Sequence, residues 1–359
     1  MSLITWLIEP IRETYRLAPH DLIRRGPGST EGPRKLEGDT FEKLEQQRLA
    51  ALRHRRRSLL VGVPTVPVLS AATYWIANAW GENRGDAIVW AITALVLAGL
   101  ALRIVAEAGL WIFRKTAKDR VLSVMAAEKG LEYRMEGVGG GEIDVFEEQG
   151  LFGSSTNSGD DEDAFSGEIE GVEILLFEAR RLSVSRSKEG SSKSLVFHGL
   201  CLRLSFPKRF SGTTRVLSDF GVLNKLHEVG NSVPLKRVKL EDPRFEKEFE
   251  ALSTDQVEAR YLLTPALMER LVEAQSVMGK RTRLRAAFHD RHMLLTLDTQ
   301  KNRSLWARMR GNLNQLHHFE IGDTSRPVEE MDMTHQFEKE MAVIQEIVGT
   351  LNINMKTRI

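Results

Sequence analysis

Cysteine and net charge are both scarce in this chain, and each scarcity excludes a class of protein. Cys201 is the single cysteine among 359 residues, so no intrachain disulfide can form and a disulfide-stabilised scaffold is excluded. The formal net charge is only +1, which gives no electrostatic case for nucleic acid as a partner. Charged residues still make up 28% of the chain, so their positions are more informative than their sum.

Asp, Glu, Lys, Arg and His are absent from two stretches, residues 58–81 and 87–102. A helix needs about 20 apolar residues to cross the hydrocarbon of a bilayer. Counting that length from Ala87 brings Arg103 within a turn of the membrane surface, where its long side chain can reach the headgroups. Residues 81–86 alone separate the stretches, and Trp80, Trp90 and Trp111 lie near their ends, as in an aromatic belt. The pattern predicts a transmembrane hairpin of two antiparallel helices.

Lysine and arginine are distributed unevenly around the predicted hairpin. Nine of them flank its two outer ends, whereas Arg84 is the one in the turn. Because cytoplasmic flanks of membrane helices are rich in these residues, both termini are predicted to be cytoplasmic. Nucleic-acid binding is the alternative, but the position beside both stretches favours membrane topology. We assign the following residues to the membrane interface: Arg55, Arg56, Arg57, Arg103, Trp111, Arg114 and Lys115.

Arg103 and Glu107 lie one helical turn apart and could form an ion pair. One interpretation is a charged site for transport inside the membrane. The other is a pair at the cytoplasmic edge, which we favour because the first span offers no ionisable partner.

Three parts are predicted along the chain. Residues 1–57 form an N-terminal cytoplasmic segment with an amphipathic helix and a juxtamembrane helix, and residues 58–113 form the hairpin. Residues 114–359 form a cytoplasmic domain. Its strand candidates occur as hairpins rather than as a βαβ series, which favours an α+β fold with a mainly antiparallel sheet.

Glu178 and His198 are the candidate functional residues. Glu178 interrupts an apolar run in a predicted strand, where a partly buried carboxylate could be functional or could pair with Arg180 or a neighbouring strand. His198 lies in the next strand, three residues from Cys201, and residues three apart in a strand point to opposite faces. We therefore interpret Cys201 as a small core residue rather than a nucleophile.

The remaining clusters lack the spacing that their chemistry requires. The acidic run 160–163 has no EF-hand pattern, so it is interpreted as a solvated loop. His289 and His292 flank a predicted hairpin tip without a metal-ligand set, and His317–His318 has no fixed partner. Glycines 139–141 precede Glu142, which would repel a phosphate. No cofactor and no metal are predicted.

Several segments resemble an uncharacterised family of bacterial membrane proteins, domain of unknown function number thirty-one thirty-seven. The similarity spans about 113–297 together with the two apolar stretches. It is carried by the following segments: 118–122, 150–152, 162–163 with Gly167 and Gly171, 178–179, 196–200 and 261–265. The resemblance implies bacterial origin, an inner-membrane location and a single cytoplasmic fold, and it implies no catalytic residues.

The function predicted from the sequence is a membrane-tethered cytoplasmic binding or scaffold protein in a bacterial inner membrane. Its partners would be the lipid bilayer, a protein, or a second copy held through the hairpin, and no nucleic acid is expected. Two alternatives stay open: a membrane-anchored enzyme with a site near Glu178, and an oligomeric channel or transporter component. An enzymatic activity is not predicted.

Overall fold

The structure is a computed structural model, and it describes most of the chain from residue 38 onwards. The described ranges are 38–81, 83–152, 156–187, 190–206, 209–218, 235–278, 282–298 and 332–356, together with residues 319, 321, 324, 325, 327 and 328. The predicted amphipathic helix at the N-terminus and His317–His318 lie outside these residues. The described residues form two compact units, one of residues up to 120 with part of 323–331, the other of 121–322 and 332–356.

Two long helices dominate the first unit. Helix α1 spans Gly38–Ala79 and helix α2 spans Arg84–Glu128, and both are long and apolar enough to cross a membrane. Pro64 and Pro67 lie in the interior of α1, because this helix begins well before the apolar stretch. The hydroxyl of Thr65 donates to the carbonyl oxygen of Gly62 at 3.0 Å, which adds a bond to the backbone beside the prolines.

The helices pack as an antiparallel hairpin. Ser70 Oγ donates to the carbonyl oxygen of Ala91 at 2.7 Å, and His54 Nε2 lies 3.2 Å from the carbonyl oxygen of Val105. Residues of α1 that are less exposed than their neighbours recur at helical spacing and mark the side that faces α2. They are Ser58, Gly62, Val66, Ser70, Thr73 and Ala77. Small side chains at these positions let the two backbones approach closely.

The second unit is built on one antiparallel sheet. In the described residues the strand order is β1-β2-β3-β4-β9-β8-β5-β7-β6. The strands are β1 Leu131–Glu136, β2 Ser158–Ile169, β3 Val172–Ser187, β4 Gly190–Ser205, β5 Thr214–Ser218, β6 Lys236–Val238, β7 Phe249–Ser253, β8 Arg283–His289 and β9 His292–Asp298. Every strand pair is antiparallel, so the predicted α+β fold with an antiparallel sheet is confirmed.

Helices cover both faces of this sheet. They are α3 Gly140–Glu148, α4 Pro243–Glu248, α5 Gln256–Leu262, α6 Pro265–Met278 and α7 Asp332–Lys356. Phe146 of α3 packs on one face with Phe177, Phe197 and Cys201. Side chains of α6 and α7 lie against Leu176, Leu200, Leu202, Leu295 and Leu297 on the opposite face. Successive side chains of β3 and β4 point to opposite faces of the sheet, so they contact α3 on one face and α6 or α7 on the other.

The acidic run 160–163 is a strand and not the solvated loop that the sequence suggested. These residues lie within β2, opposite residues 178–180 of β3. Arg180 Nε donates to Asp160 Oδ1 at 3.0 Å, and Asp163 is fully buried. The interpretation failed because residues that lie far along the chain supply an arginine to Asp160 and hydrogen-bond donors to Asp161 and Asp163.

Candidate functional site

Large apolar side chains are exposed along both helices of the hairpin. None of the residues in the most apolar 18-residue stretch of either helix is buried. Val68 is 67% exposed, Trp75 70%, Trp80 86% and Val96 62%. Soluble monomers rarely expose large apolar side chains along a whole helix, so this surface is the first candidate functional site.

Polar groups along the exposed helices bond to backbone carbonyl groups of the hairpin. Thr73 Oγ1 donates to Leu69 at 2.7 Å, and Thr93 Oγ1 donates to Val89 at 2.8 Å. Ser70 makes the corresponding bond across the hairpin to Ala91. In an environment without water, each hydroxyl group needs an internal hydrogen bond of this kind, because an unsatisfied polar group there costs several kcal/mol.

The cationic residues predicted at the interface lie at the open end of the hairpin. Arg55, Arg56 and Arg57 are exposed, as are Arg103, Trp111 and Lys115, whereas Arg114 is half-buried. Arg55 Nε contacts Glu107 Oε1 at 3.0 Å, with both side chains nearly half exposed. The pair predicted between Arg103 and Glu107 is therefore wrong, since the helix packing brings an arginine of α1 to this glutamate.

Glu178 and His198 form a buried hydrogen-bonded pair in the second unit. His198 Nε2 lies 2.9 Å from Glu178 Oε1, and the residues are 5% and 1% exposed. β3 and β4 place both side chains on the face covered by α7, because Arg180 lies opposite His198 and Leu200 opposite Glu178. The two candidates from the sequence thus meet. Arg180 forms an ion pair with Asp160, and not with Glu178 as the sequence had also allowed.

Two further carboxylates join this pair. Glu162 lies directly opposite Glu178 in the ladder between β2 and β3, where like charges repel. One carboxylate oxygen from each of Glu162, Asp163 and Glu178 lies within 4.8 Å of the others. Carboxylate oxygens in such a group can share a proton or hold a hard divalent cation such as Mg²⁺ or Ca²⁺.

Asp163 owes its position to an irregularity in β2. The register between β2 and β3 shifts between Glu162 and Phe165, and Asp163 has a φ of +55°. Tyr133 in β1 donates its hydroxyl to Asp163 Oδ1 at 2.7 Å. The bulge therefore turns one carboxylate of an acidic run that is elsewhere exposed or half-buried into the core.

Sequence reasoning missed Tyr133 and Glu340, and it interpreted Asp163 as part of a solvated loop. Glu340 of α7 is 1% exposed and lines a small cavity of about 10 Å³, at the lower limit for holding one water, beside Leu176 and Leu200. Glu340 lies three residues after Phe337 and four before Ile344, which puts a carboxyl group on the apolar face of α7. This spacing could have identified Glu340 from the sequence. Asp163 gave no such indication, because its burial depends on the bulge.

The glycine-rich segment before α3 holds a carboxylate of the protein itself. The backbone N–H groups of Val138 and Gly139 donate to Asp161 Oδ2, at 2.5 and 3.0 Å. An added Cβ at Gly137 would overlap the same carboxylate. Glu142 in the first turn of α3 forms an ion pair with Arg203 of β4.

The other candidate residues named from the sequence, Cys201, His289 and His292, make contacts that belong to the core or to a hairpin tip. Cys201 is fully buried beside Phe197 and Phe177, and burial raises the pKa of its thiol well above the ordinary value. His289 and His292 face each other at the end of the β8–β9 hairpin, and His289 Nδ1 lies 2.9 Å from Thr213 Oγ1. Burial is the main cause that lowers the pKa of His292. The core and hairpin-tip interpretations are confirmed.

Two partly buried arginines support the end of α3. Arg215 donates to the carbonyl oxygen of Glu148 at 3.2 Å, and Arg285 donates to that of Leu151 at 3.1 Å. Burial lowers the pKa of both guanidinium groups. Their contacts satisfy carbonyl groups at and beyond the C-terminus of the helix, which is a structural role.

Comparisons with known proteins give one structure and one family. Among curated proteins none matches this chain. The crystal structure of the mycobacterial trehalose monomycolate transport factor A, TtfA, is similar at 12% identity and a TM-score of 0.32, covering 56% of this chain and 94% of that one.

The family match covers the second half of the described sheet and α7. The model described as "Protein of unknown function (DUF3137)" matches residues 195–353. The match begins later than the resemblance seen in the sequence and extends further towards the C-terminus. The predicted resemblance is therefore confirmed over residues 195–353, which match the model of the family described as "Protein of unknown function (DUF3137)".

Proposed function

We propose that this protein is tethered to a bacterial inner membrane by its helical hairpin and binds a partner through its antiparallel-sheet domain at the cytoplasmic surface. The observation that carries the proposal is the exposed apolar surface of α1 and α2. In water this surface would drive aggregation, whereas lipid tails solvate it without cost. The internal bonds of Ser70, Thr73 and Thr93 support the same surrounding.

The distribution of arginine supports a cytoplasmic location of both termini. Arg53, Arg55, Arg56 and Arg57 precede the first apolar stretch, and Arg84 is the one lysine or arginine in the turn. Cations are retained on the cytoplasmic side during insertion, so the turn would lie on the far side.

Binding is favoured over catalysis by the enclosure of the Glu178–His198 pair. Both side chains lie under the face that α7 covers, and neither is more than 5% exposed. A general acid or base must come within hydrogen-bond reach of its substrate. In this conformation the carboxylate of Glu178 and the imidazole of His198 are enclosed and out of a substrate's reach. A protein partner, or a second copy paired through the hairpin, is the proposed ligand besides lipid.

Membrane extraction combined with topology reporters tests the proposal. The full chain should stay with membranes after alkaline carbonate washing. Reporters fused at residues 20 and 200 should give a cytoplasmic result, and one inserted between residues 82 and 86 should give the opposite one. Release by carbonate would overturn the tether, and a cytoplasmic turn would overturn the hairpin orientation.

A membrane-anchored enzyme is the second candidate, and the 2.9 Å bond between Glu178 and His198 favours it over the channel alternative. A carboxylate that orients an imidazole is a common element of acid–base sites. If α7 moved aside, this pair would become accessible. Glu178→Gln and His198→Asn, scored for cell phenotype beside protein abundance, distinguish the two. Lost function at normal abundance and membrane insertion would favour the enzyme.

A further inference from the structure

Four exposed arginines gather at the open end of the hairpin. Arg53, Arg56, Arg57 and Arg103 are exposed, and we name them the arginine band. Among the described residues no acidic side chain forms an ion pair with any of the four. The nearby Arg55 is neutralised by Glu107 at 3.0 Å. The band thus carries uncompensated positive charge beside an apolar surface.

Contacts between the helices place Arg57 and Arg103 at similar depths. His54 contacts the carbonyl oxygen of Val105, and the backbones of Ala51 and Gly109 lie side by side. Because the helices are antiparallel, Arg57 lies three residues beyond His54 towards the turn, and Arg103 lies two residues beyond Val105 in the same direction. At about 1.5 Å per residue the two arginines differ little in depth.

We propose that the arginine band binds the phosphate groups of anionic phospholipids at the cytoplasmic surface of the membrane. This inference rests on the proposed membrane tether and names the lipid class that the hairpin selects. A guanidinium group binds phosphate through two parallel N–H···O bonds, which a lysine cannot form. Arginine at the edge of the hydrocarbon also extends its side chain towards headgroups, which brings band and phosphates to the same depth.

Lipid is the occupant that the surroundings of the band favour. The side chains that continue from it towards the turn are apolar and exposed, among them Leu60, Val61 and Ile104. A soluble anion would leave this adjoining surface in water. A phospholipid covers both parts at once, with its phosphate on the arginines and its chains on the apolar residues.

Spin-labelled lipids test the inference with the full chain in nanodiscs of phosphatidylcholine. The fraction of immobilised label is compared for phosphatidylglycerol and phosphatidylcholine probes at low and high salt. The wild type should immobilise phosphatidylglycerol preferentially, and the preference should fall with salt. Replacing all four arginines by glutamine should lower the preference by at least about fivefold, the effect of one cation at an anionic surface.

Two matched variants show whether position and charge are responsible. Four exposed cations of the second unit are removed in the first control, which should keep the preference: Lys236→Gln, Lys239→Gln, Arg244→Gln and Arg260→Gln. Replacing the four band arginines by lysine keeps the charge but removes the paired N–H···O bonds, so it should keep only part of the preference. Equal immobilisation of both probes by the wild type overturns the inference, and so does equal loss in the control.

Carbonate extraction of the same samples separates this inference from the tether itself. A wild type that stays in the membrane but shows no preference overturns the lipid selection and leaves the tether standing. A wild type released by carbonate overturns both. The glutamine variant should remain in the membrane, because the apolar stretches are unchanged.

Discussion

The bond between Glu178 and His198 joins two strands that also pair through their backbones. Leaving one partner of a buried hydrogen bond unsatisfied costs about 1–3 kcal/mol, and replacing both partners by apolar groups costs less. His198→Leu should therefore destabilise the protein by about 2 kcal/mol, while Glu178→Leu combined with His198→Leu should cost less than the sum of the single changes. Unfolding of the full chain in detergent, followed by near-UV circular dichroism, measures this coupling. Strict additivity would show that the two side chains do not stabilise each other.

Cys201 provides an internal probe of unfolding. Its thiol is fully buried among aromatic side chains, and its pKa is raised by burial, so the reactive thiolate is scarce. A water-soluble maleimide should label the folded protein at least about tenfold more slowly than the denatured protein. Ser192→Cys, at an exposed position of β4, should react rapidly in the folded state and serves as the comparison. Rapid labelling of Cys201 would contradict its burial.

Gly159 of β2 has no room for a side chain. An added Cβ would overlap the backbone carbonyl oxygen of Arg180 in β3, which cannot move without breaking the ladder. Gly159→Ala should lower the free energy of unfolding by about 1–3 kcal/mol, the usual cost of overpacking. Gly141→Ala in α3 meets open space, and should raise stability by up to about 1 kcal/mol through helix propensity. Equal effects of the two changes in thermal unfolding would contradict the strand pairing.

Helices α1 and α2 pack against each other in a specific register. Ser70 and Ala91 are in contact, so Ser70→Cys with Ala91→Cys should form a disulfide readily after Cys201 is replaced by serine. Val68 and Val96 are both exposed and point outwards, and a cysteine pair there should not crosslink within one chain. The readout is the mobility shift on non-reducing electrophoresis. Crosslinking from the outward pair alone would show that another face forms the contact.

Short-range patterns explain which elements were predictable. A run without charge predicts each apolar helix by itself, and alternation in β3 and β4 predicts their strands, because both depend on neighbouring residues. Ala91, Ala94 and Ala98 recur at helical spacing in α2 and are half-buried, whereas Ala101, the next in the series, is exposed. The acidic strand β2 was not predictable, because Asp163 Oδ1 accepts a hydrogen bond from Tyr133, which lies 30 residues earlier in the chain. The meeting of Glu178 with His198 likewise required the register of β3 against β4.

The two units differ in how much apolar surface they expose to their surroundings. Exposed apolar side chains line the helices of the first unit, whereas the second has a sheet covered by helices on both faces and a buried aromatic core. Arg48 of α1 donates to the carbonyl oxygen of Thr324 at 3.0 Å, and Glu45 accepts from the backbone N–H of Val328 at 3.2 Å. Segment 323–331 therefore belongs to the first unit, although the chain on either side of it belongs to the second.

A chain that begins at residue 114 should consequently leave the membrane and keep its fold. It retains the sheet and α3 to α7 but lacks both apolar stretches, so the surface that requires lipid is gone. We expect it in the soluble fraction of lysed cells, with cooperative thermal unfolding, and with faster proteolysis at 323–331 because Glu45 and Arg48 are missing. A matched chain lacking only residues 1–37 should remain in the membrane pellet. If the shortened chain also stayed in the pellet after carbonate washing, the sheet domain would have its own membrane-binding surface and the hairpin would not be the tether.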